Sequence, residues 1–242
     1  MPNRRQFLAA SGSTLAASVR AAAKEDETPL LTFGLMADCQ YADVDTAGQR
    51  FYRQSVKKLD EAIGRFNKHE LAFTLHLGDW IDRGVESFER LAPVAARLQG
   101  PLHHALGNHD FDVADDEKAG VPARLGLAKG YYRFHQAGVR FLVLDTTEVS
   151  PYRHPAEDPR TLAARKELAG LDGKQYAQPW NGRPAREQFE WAEGEIKEAD
   201  KAGESVLVFG HHPIRPTGSH TIWNPDEWHG LFEAHRCVKA YV

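Results

Sequence analysis

Leu71-Ala72-Phe73-Thr74-Leu75-His76-Leu77 is an apolar run that stops at Gly78-Asp79-Trp80-Ile81-Asp82. Seven residues closed by a glycine suit a buried strand better than a helix, which needs ten or more. Three other stretches repeat the pattern. Residues 30–36 run into Asp38-Cys39-Gln40, residues 102–106 into Gly107-Asn108-His109-Asp110, and residues 205–209 into Gly210-His211-His212-Pro213. Each is an apolar segment that ends at a cluster of carboxylate, amide or imidazole groups.

Helical patterns lie between these strands. Residues 49–67 place Tyr52, Val56, Leu59, Ile63 and Phe66 at helical spacing, and residues 186–202 do the same with Phe189, Ala192, Ile196 and Ala199. Shorter helices are expected over 85–98 and 225–235, with a last strand starting at Val238. Residues 131–135 and 139–144 flank Gln136-Ala137-Gly138 and read as a hairpin. Residues 145–185 are polar and rich in Pro and Gly, a long loop of the kind that is either functional or disordered. Strands alternating with helices predict an α/β architecture. In such folds ligands sit outside the carboxyl ends of the strands, so the four polar clusters are expected to converge.

The 242 residues suit one large domain, and 42% hydrophobic with 26% charged residues is a globular composition. A net charge of −4 with no basic stripe argues against a nucleic-acid partner. Two cysteines, Cys39 and Cys237, are too few for a disulfide framework. The N-terminus has a different character. Asn3-Arg4-Arg5-Gln6-Phe7-Leu8 precedes a mildly apolar run ending in Ala21-Ala22-Ala23, the layout of a cleaved export signal. The paired arginines look like a twin-arginine signal, which implies passage through that export machinery and a periplasmic or otherwise exported product. The run is too short and too rich in Ser, Gly and Ala to be a stable membrane anchor. The expected organisation is therefore a signal over 1–23, a linker over 24–30 and one domain over 31–242.

Holding two divalent ions side by side takes a bridging carboxylate with further oxygen and nitrogen ligands on each ion. Asp79 is the candidate bridge, Asp38 and Gln40 would complete one ion's shell, and Asn108 and His211 the other's. His109, next to Asn108, would point at a phosphate and stabilise charge or protonate the leaving oxygen, and Asp110 would orient it. Asp82 is expected to lie behind the ligands. Cys39 should turn into the core, and His76, His103 and His104 should pack within strands. Trp180, Asn181, Trp223 and Asn224 lie in long loops, where framing a substrate and sitting on the surface are equally open.

Asp38-x-Gln40, Gly78-Asp79-x-x-Asp82, Gly107-Asn108-His109-Asp110 and Gly210-His211-x-Pro213 resemble, in order, the motifs of calcineurin-like metallophosphoesterases. Within that family the chain looks most like the manganese-dependent ADP-ribose/CDP-alcohol diphosphatases. The residues that carry this are Ala37-Asp38-Cys39-Gln40-Tyr41-Ala42-Asp43, Tyr52-Arg53-Gln54-Ser55 and Trp223-Asn224. The resemblance implies a four-layer α/β/β/α sandwich with a dinuclear metal site at its rim. It also implies a hydrolase of phosphate esters or diphosphates, with a small phosphorylated substrate such as a nucleoside diphosphate derivative. Most of the wider family has His at the position of Gln40; the diphosphatase subgroup shares the Gln. An amide oxygen is a harder ligand than imidazole and favours Mn²⁺ or Mg²⁺ over zinc. The family closes its site with Gly-His-x-His, and this sequence stops at Val238-Lys239-Ala240-Tyr241-Val242, about where that motif should begin. The expectation is a C-terminally incomplete domain, a fragment or a truncation, with weakened metal binding. The competing reading is an inactive fragment or pseudoenzyme, and within enzymes a general phosphomonoesterase or phosphodiesterase.

Overall fold

The computed structural model describes residues 30–242. The export-signal reading over 1–23 and all but the last residue of the linker lie outside them. In chain order the elements are β1 (Gly34–Met36), α1 (Ser55–Phe66), β2 (Thr74–His76), α2 (Glu86–Ala95), β3 (Leu102–His104) and the short α3 (Val121–Arg124). There follow β4 (Tyr132–Gln136), β5 (Val139–Val143), α4 (Pro159–Gly170), α5 (Arg186–Ala202), β6 (Ser205–Phe209), α6 (Pro225–Glu233) and β7 (Val238–Tyr241).

Two sheets result. The first has the order β1-β2-β3 and is parallel throughout. The second has the order β4-β5-β6-β7, with only the β4/β5 hairpin antiparallel. Period-2 alternation of side chains gives each sheet two apolar faces. Val139, Phe141 and Val143 of β5 meet Phe73, Leu75, Ala105 and Phe209 in a core between the sheets. Leu142, Leu144, Val206 and Val208 face the other way and bury Ala192, Ile196 and Ala199 of α5 with Trp228 of α6. The outer face of the first sheet is covered by Leu59 and Ile63 of α1 and Phe88 and Leu91 of α2. The layers run α/β/β/α, as the motifs implied.

Several boundaries differ from expectation for physical reasons. The strand expected over 30–36 is three residues long and partly open, with Leu30 75% and Leu35 38% exposed. Among the described residues β1 is the edge of its sheet, with a ladder partner on one side only. The first helix starts at Ser55 rather than Gln49, because Ala47 and Arg50 close a turn on each other and Tyr52–Gln54 is a 3₁₀ turn. The stretch over 145–185 is not all loop. In α4, Asp158 caps the N-terminus by accepting from the Arg160 amide at 2.8 Å, and Pro159 sits in the first turn. Only Thr161 and Ala164 of that helix are buried, so apolar spacing gave no sign of it. The hairpin turn is as read: Ala137 (φ 50°) and Gly138 (φ 74°) are both left-handed, the geometry of a two-residue turn matched to strand twist. Among the described residues, no helix is long and apolar enough to cross a membrane.

One charge lies inside the second sheet's helical face. Arg140 of β5 is 6% exposed and is ringed by Glu195 (2.8 Å), Glu204 (2.9 Å) and Glu198 (3.3 Å). Removing one partner of a fully buried pair costs about 3–5 kcal/mol. The side chains of Glu195, Glu204 and Glu198 are 11%, 28% and 66% exposed and can partly rehydrate, which brings the cost to about 2 kcal/mol. Arg140→Met is therefore expected to lower the urea unfolding free energy by about that amount. A loss below ~1 kcal/mol would show that the glutamates rehydrate freely.

Candidate metal centre

The four polar clusters follow β1, β2, β3 and β6 and meet at the carboxyl ends of those strands. Asp38, Gln40, Asp79, Asn108, His109 and His211 line one cavity of about 640 Å³. The ladder between β1 and β2 continues past both strands as Asp38 N–H donating to Gly78 O (3.1 Å) and Gln40 N–H to Asp79 O (2.9 Å). These bonds hold three proposed ligands in left-handed backbone: Asp38 at φ 53°, Gln40 at 45° and Asp79 at 59°. Non-glycine residues in that region cost of order 1–3 kcal/mol each and cluster where geometry serves a function.

The ligand atoms fit a cation on their own chemistry. One donor atom each from Asp38, Asp79 and His211 lies within 4.8 Å of the others. The His211 Nδ1 is 2.9 Å from Leu77 O, a carbonyl that only accepts, so the proton sits on Nδ1. In a neutral imidazole Nε2 then carries a lone pair. It faces Asn108 Oδ1 at 3.2 Å and Asp79 Oδ1 at 3.5 Å, which are acceptors too. A cation resolves that arrangement, and the carbonyl contact is the outer-shell bond that fixes a metal-binding histidine. Gln40 donates its amide nitrogen to Asp79 Oδ2 (2.9 Å), which leaves its oxygen for an ion. Burial, and then the charge of Asp79, raise the pKa of Asp38.

Asp110 does not take the role expected of it. Its fully buried carboxylate turns away from His109 and accepts from Trp80 N–H (2.8 Å), Ile81 N–H (3.2 Å) and Gly107 N–H (2.9 Å). It is a staple between two site loops. The group beside His109 is Asp82, fully buried, with Oδ1 3.3 Å from His109 Nδ1. The short side chain of Asp110 cannot reach the imidazole of the residue before it while serving both loops.

Other residues fall on either side of expectation. Cys39 packs against the core on the outer face of the first sheet, and burial pushes its thiol up to about 12, with no place in the cavity. His76 and His104 are buried against Trp80, and burial lowers both pKa values, that of His104 to about 4. Of the loop quartet only Trp180 lines the cavity. Asn181 is buried and donates to Ser219 O (2.8 Å) and Tyr176 O (3.0 Å), while the Trp223 indole donates to Gln178 O. His212 is buried with Nδ1 2.9 Å from Thr146 Oγ1 and Nε2 3.1 Å from Trp180 O, so it ties the His211 loop to Trp180. Arg50 and His220 also line the cavity and were missed. Arg50 fell at the start of the helix read over 49–67, and His220 sits in a loop with no motif around it.

Gly107 must be glycine. A Cβ there would overlap both the amide and the carboxylate of Asp79. Gly107→Ala is expected to weaken Mn²⁺ binding about 10–100-fold in calorimetry while far-UV circular dichroism stays unchanged. Wild-type affinity in that variant would show that Asp79 is not a ligand.

A family profile described as calcineurin-like phosphoesterase matches residues 31–242. A manganese-dependent ADP-ribose/CDP-alcohol diphosphatase of Arabidopsis thaliana is 29% identical over 246 residues, covering 88% of this chain and 78% of its own length. The Homo sapiens protein of the same name is 26% identical, covering 88% and 75%. The crystal structure of a dimetal phosphatase from Danio rerio superposes with a TM-score of 0.78 at 23% identity, over 88% of this chain and 80% of that one, a likeness of fold. Since the profile match spans every strand and helix described above, the chain belongs to the calcineurin-like phosphoesterase family.

Proposed function

We propose that this chain hydrolyses the diphosphate bond of small nucleoside diphosphate derivatives, using divalent ions of the manganese class. Asp79 would bridge the ions, with Asp38 and Gln40 on one and Asn108 and His211 on the other. The observation that carries the reading is the convergence at His211 Nε2 of Asn108 Oδ1 at 3.2 Å and Asp79 Oδ1 at 3.5 Å, with Asp38 within the same 4.8 Å cluster. Two carboxylates, two amide oxygens and one imidazole form a hard set that suits Mn²⁺ or Mg²⁺. The names of the relatives support the substrate class.

Bound there, such ions supply Lewis acidity toward a phosphoryl oxygen and acidify a water. The rest is the chain's own work. The His109 amide donates to Asp79 Oδ1 (2.9 Å), which fixes this residue to the bridging carboxylate. Asp82 Oδ1 lies 3.3 Å from Nδ1 of the same ring and Arg50 Nη1 3.4 Å from Nε2. It is Nε2, once Arg50 turns to the substrate, that would give a proton to the leaving oxygen. Trp180 and Pro213 add apolar surface to the cavity lining.

With Mn²⁺, ADP-ribose and CDP-alcohols are expected to turn over faster than a simple aryl phosphate. The reverse ranking would overturn the substrate assignment in favour of a general phosphomonoesterase. His109→Gln should lower kcat by about 10²–10⁴ without releasing Mn²⁺. A variant that loses the ions would place His109 among the ligands instead.

The N-terminal pattern supports export to the periplasm through the twin-arginine route. In a bacterial host that has this pathway, Arg4→Lys with Arg5→Lys should leave the full chain in the cytoplasmic fraction. Wild-type recovery of that double variant from the periplasm would sink the assignment.

A further inference from the structure

Among the described residues lining the cavity, Arg50 is the one with a permanent positive charge. It is fixed there from its backbone. Arg50 and Ala47 exchange N–H···O bonds of 3.0 and 3.2 Å, closing a tight turn with Gly48 at φ 59°. Its side chain is 48% exposed and reaches inward, with Nη1 3.1 Å from Asp82 Oδ1 and 3.4 Å from His109 Nε2.

Asp82 does not depend on that contact. Arg83 already holds Asp82 Oδ2 through Nε at 2.9 Å and Nη2 at 2.8 Å, and His109 Nδ1 lies at 3.3 Å from Oδ1. If Arg50 swung away, the buried carboxylate would keep a cation and a neighbouring imidazole. Arg50 is therefore a guanidinium with a replaceable partner, facing a cavity that otherwise offers acceptors and imidazoles.

We propose that Arg50 is a specificity residue that binds the second phosphate of a diphosphate substrate, favouring diphosphates over phosphomonoesters. The proposal rests on the hydrolytic reading above. When water attacks one phosphorus, the bond from that phosphorus to the leaving oxygen breaks, and the leaving oxygen takes its electron pair and then a proton. His109 Nε2 serves that oxygen, and Arg50 Nη1 lies within 3.4 Å of the same nitrogen. In a diphosphate the leaving oxygen belongs to a second phosphate, whose charge the guanidinium can bind in forked geometry. In a phosphomonoester it belongs to an alcohol, and Arg50 has no anion to hold.

The test compares wild type, Arg50→Gln and Arg50→Lys, each with Mn²⁺, on ADP-ribose and on an aryl phosphate. Both rates should fall in Arg50→Gln, since His109 loses a neighbour. The loss of kcat/KM on ADP-ribose should exceed that on the aryl phosphate by about 10–100-fold, with Arg50→Lys intermediate. Competitive inhibition of aryl phosphate turnover by ADP and AMP gives a second readout. Wild type should bind ADP more tightly than AMP, and Arg50→Gln should erase most of that ratio. Equal losses on both substrates with an unchanged ADP/AMP ratio would overturn the proposal and leave Arg50 a support for Asp82. A wild type that cleaves only monoesters would overturn the diphosphatase reading instead, and the inhibition ratio would still decide the role of Arg50.

Discussion

The carboxylate of Asp110 is the contact on which the rest of the site depends. It receives three backbone N–H groups, two from the loop after β2 and one from the loop after β3. Burial and the nearby Asp79 push its pKa up to about 7, and the bonds from Gly107 and Ile81 oppose only part of that rise. A buried carboxylate is tolerable only with such donors. Its effect is to join two loops that share no strand pairing where they carry Asp79 and Asn108. Gly107 is the other half of that junction, since it lets the two backbones approach to a distance no side chain allows. Asp79, the proposed bridge, is thus placed by a carboxylate and a glycine that lie behind the cavity rather than in its lining.

Strain is distributed in the same way. Asp38, Gln40 and Asp79 hold backbone angles that L residues resist, and the bonds between Asp38, Gln40, Gly78 and Asp79 keep them there. A flexible loop would relax into ordinary angles and scatter the carboxylates. The chain instead extends the β1/β2 ladder past the point where regular strand ends, so the ligands inherit the rigidity of the sheet.

Much of this was legible in the sequence. Apolar runs that halt at Asp38, Asp79, Asn108 and His211 identified the strands and the residues that share one cavity, because a parallel sheet puts its loops at one rim. The role of Asp110 was not legible. Adjacency to His109 in sequence suggested contact, whereas the 3₁₀ turn over His109–Phe111 sends consecutive side chains in different directions. Asp82 takes the place beside the imidazole from three residues beyond Asp79. Arg50 was hidden for another reason: it fell inside the helix read over 49–67, whereas it closes a turn with Ala47, and only tertiary placement brings it to the cavity. The helix Pro159–Gly170 had an honest signal in Asp158-Pro159 but almost no buried face to make its period visible.

Of the five candidate ligands, four follow strands of the first sheet and His211 alone follows the second. Its Nδ1 contact with Leu77 O crosses the seam that Phe33, Phe73, Phe141 and Phe209 fill with stacked and edge-on rings. Cation affinity is consequently a gauge of how the two halves of the sandwich are docked. A shift of a phenylalanine many residues from any ligand would slide one half against the other and be felt first as a lengthened imidazole-to-carboxylate gap. Natural variation in those rings then has a route to tune the centre without altering a single group that coordinates.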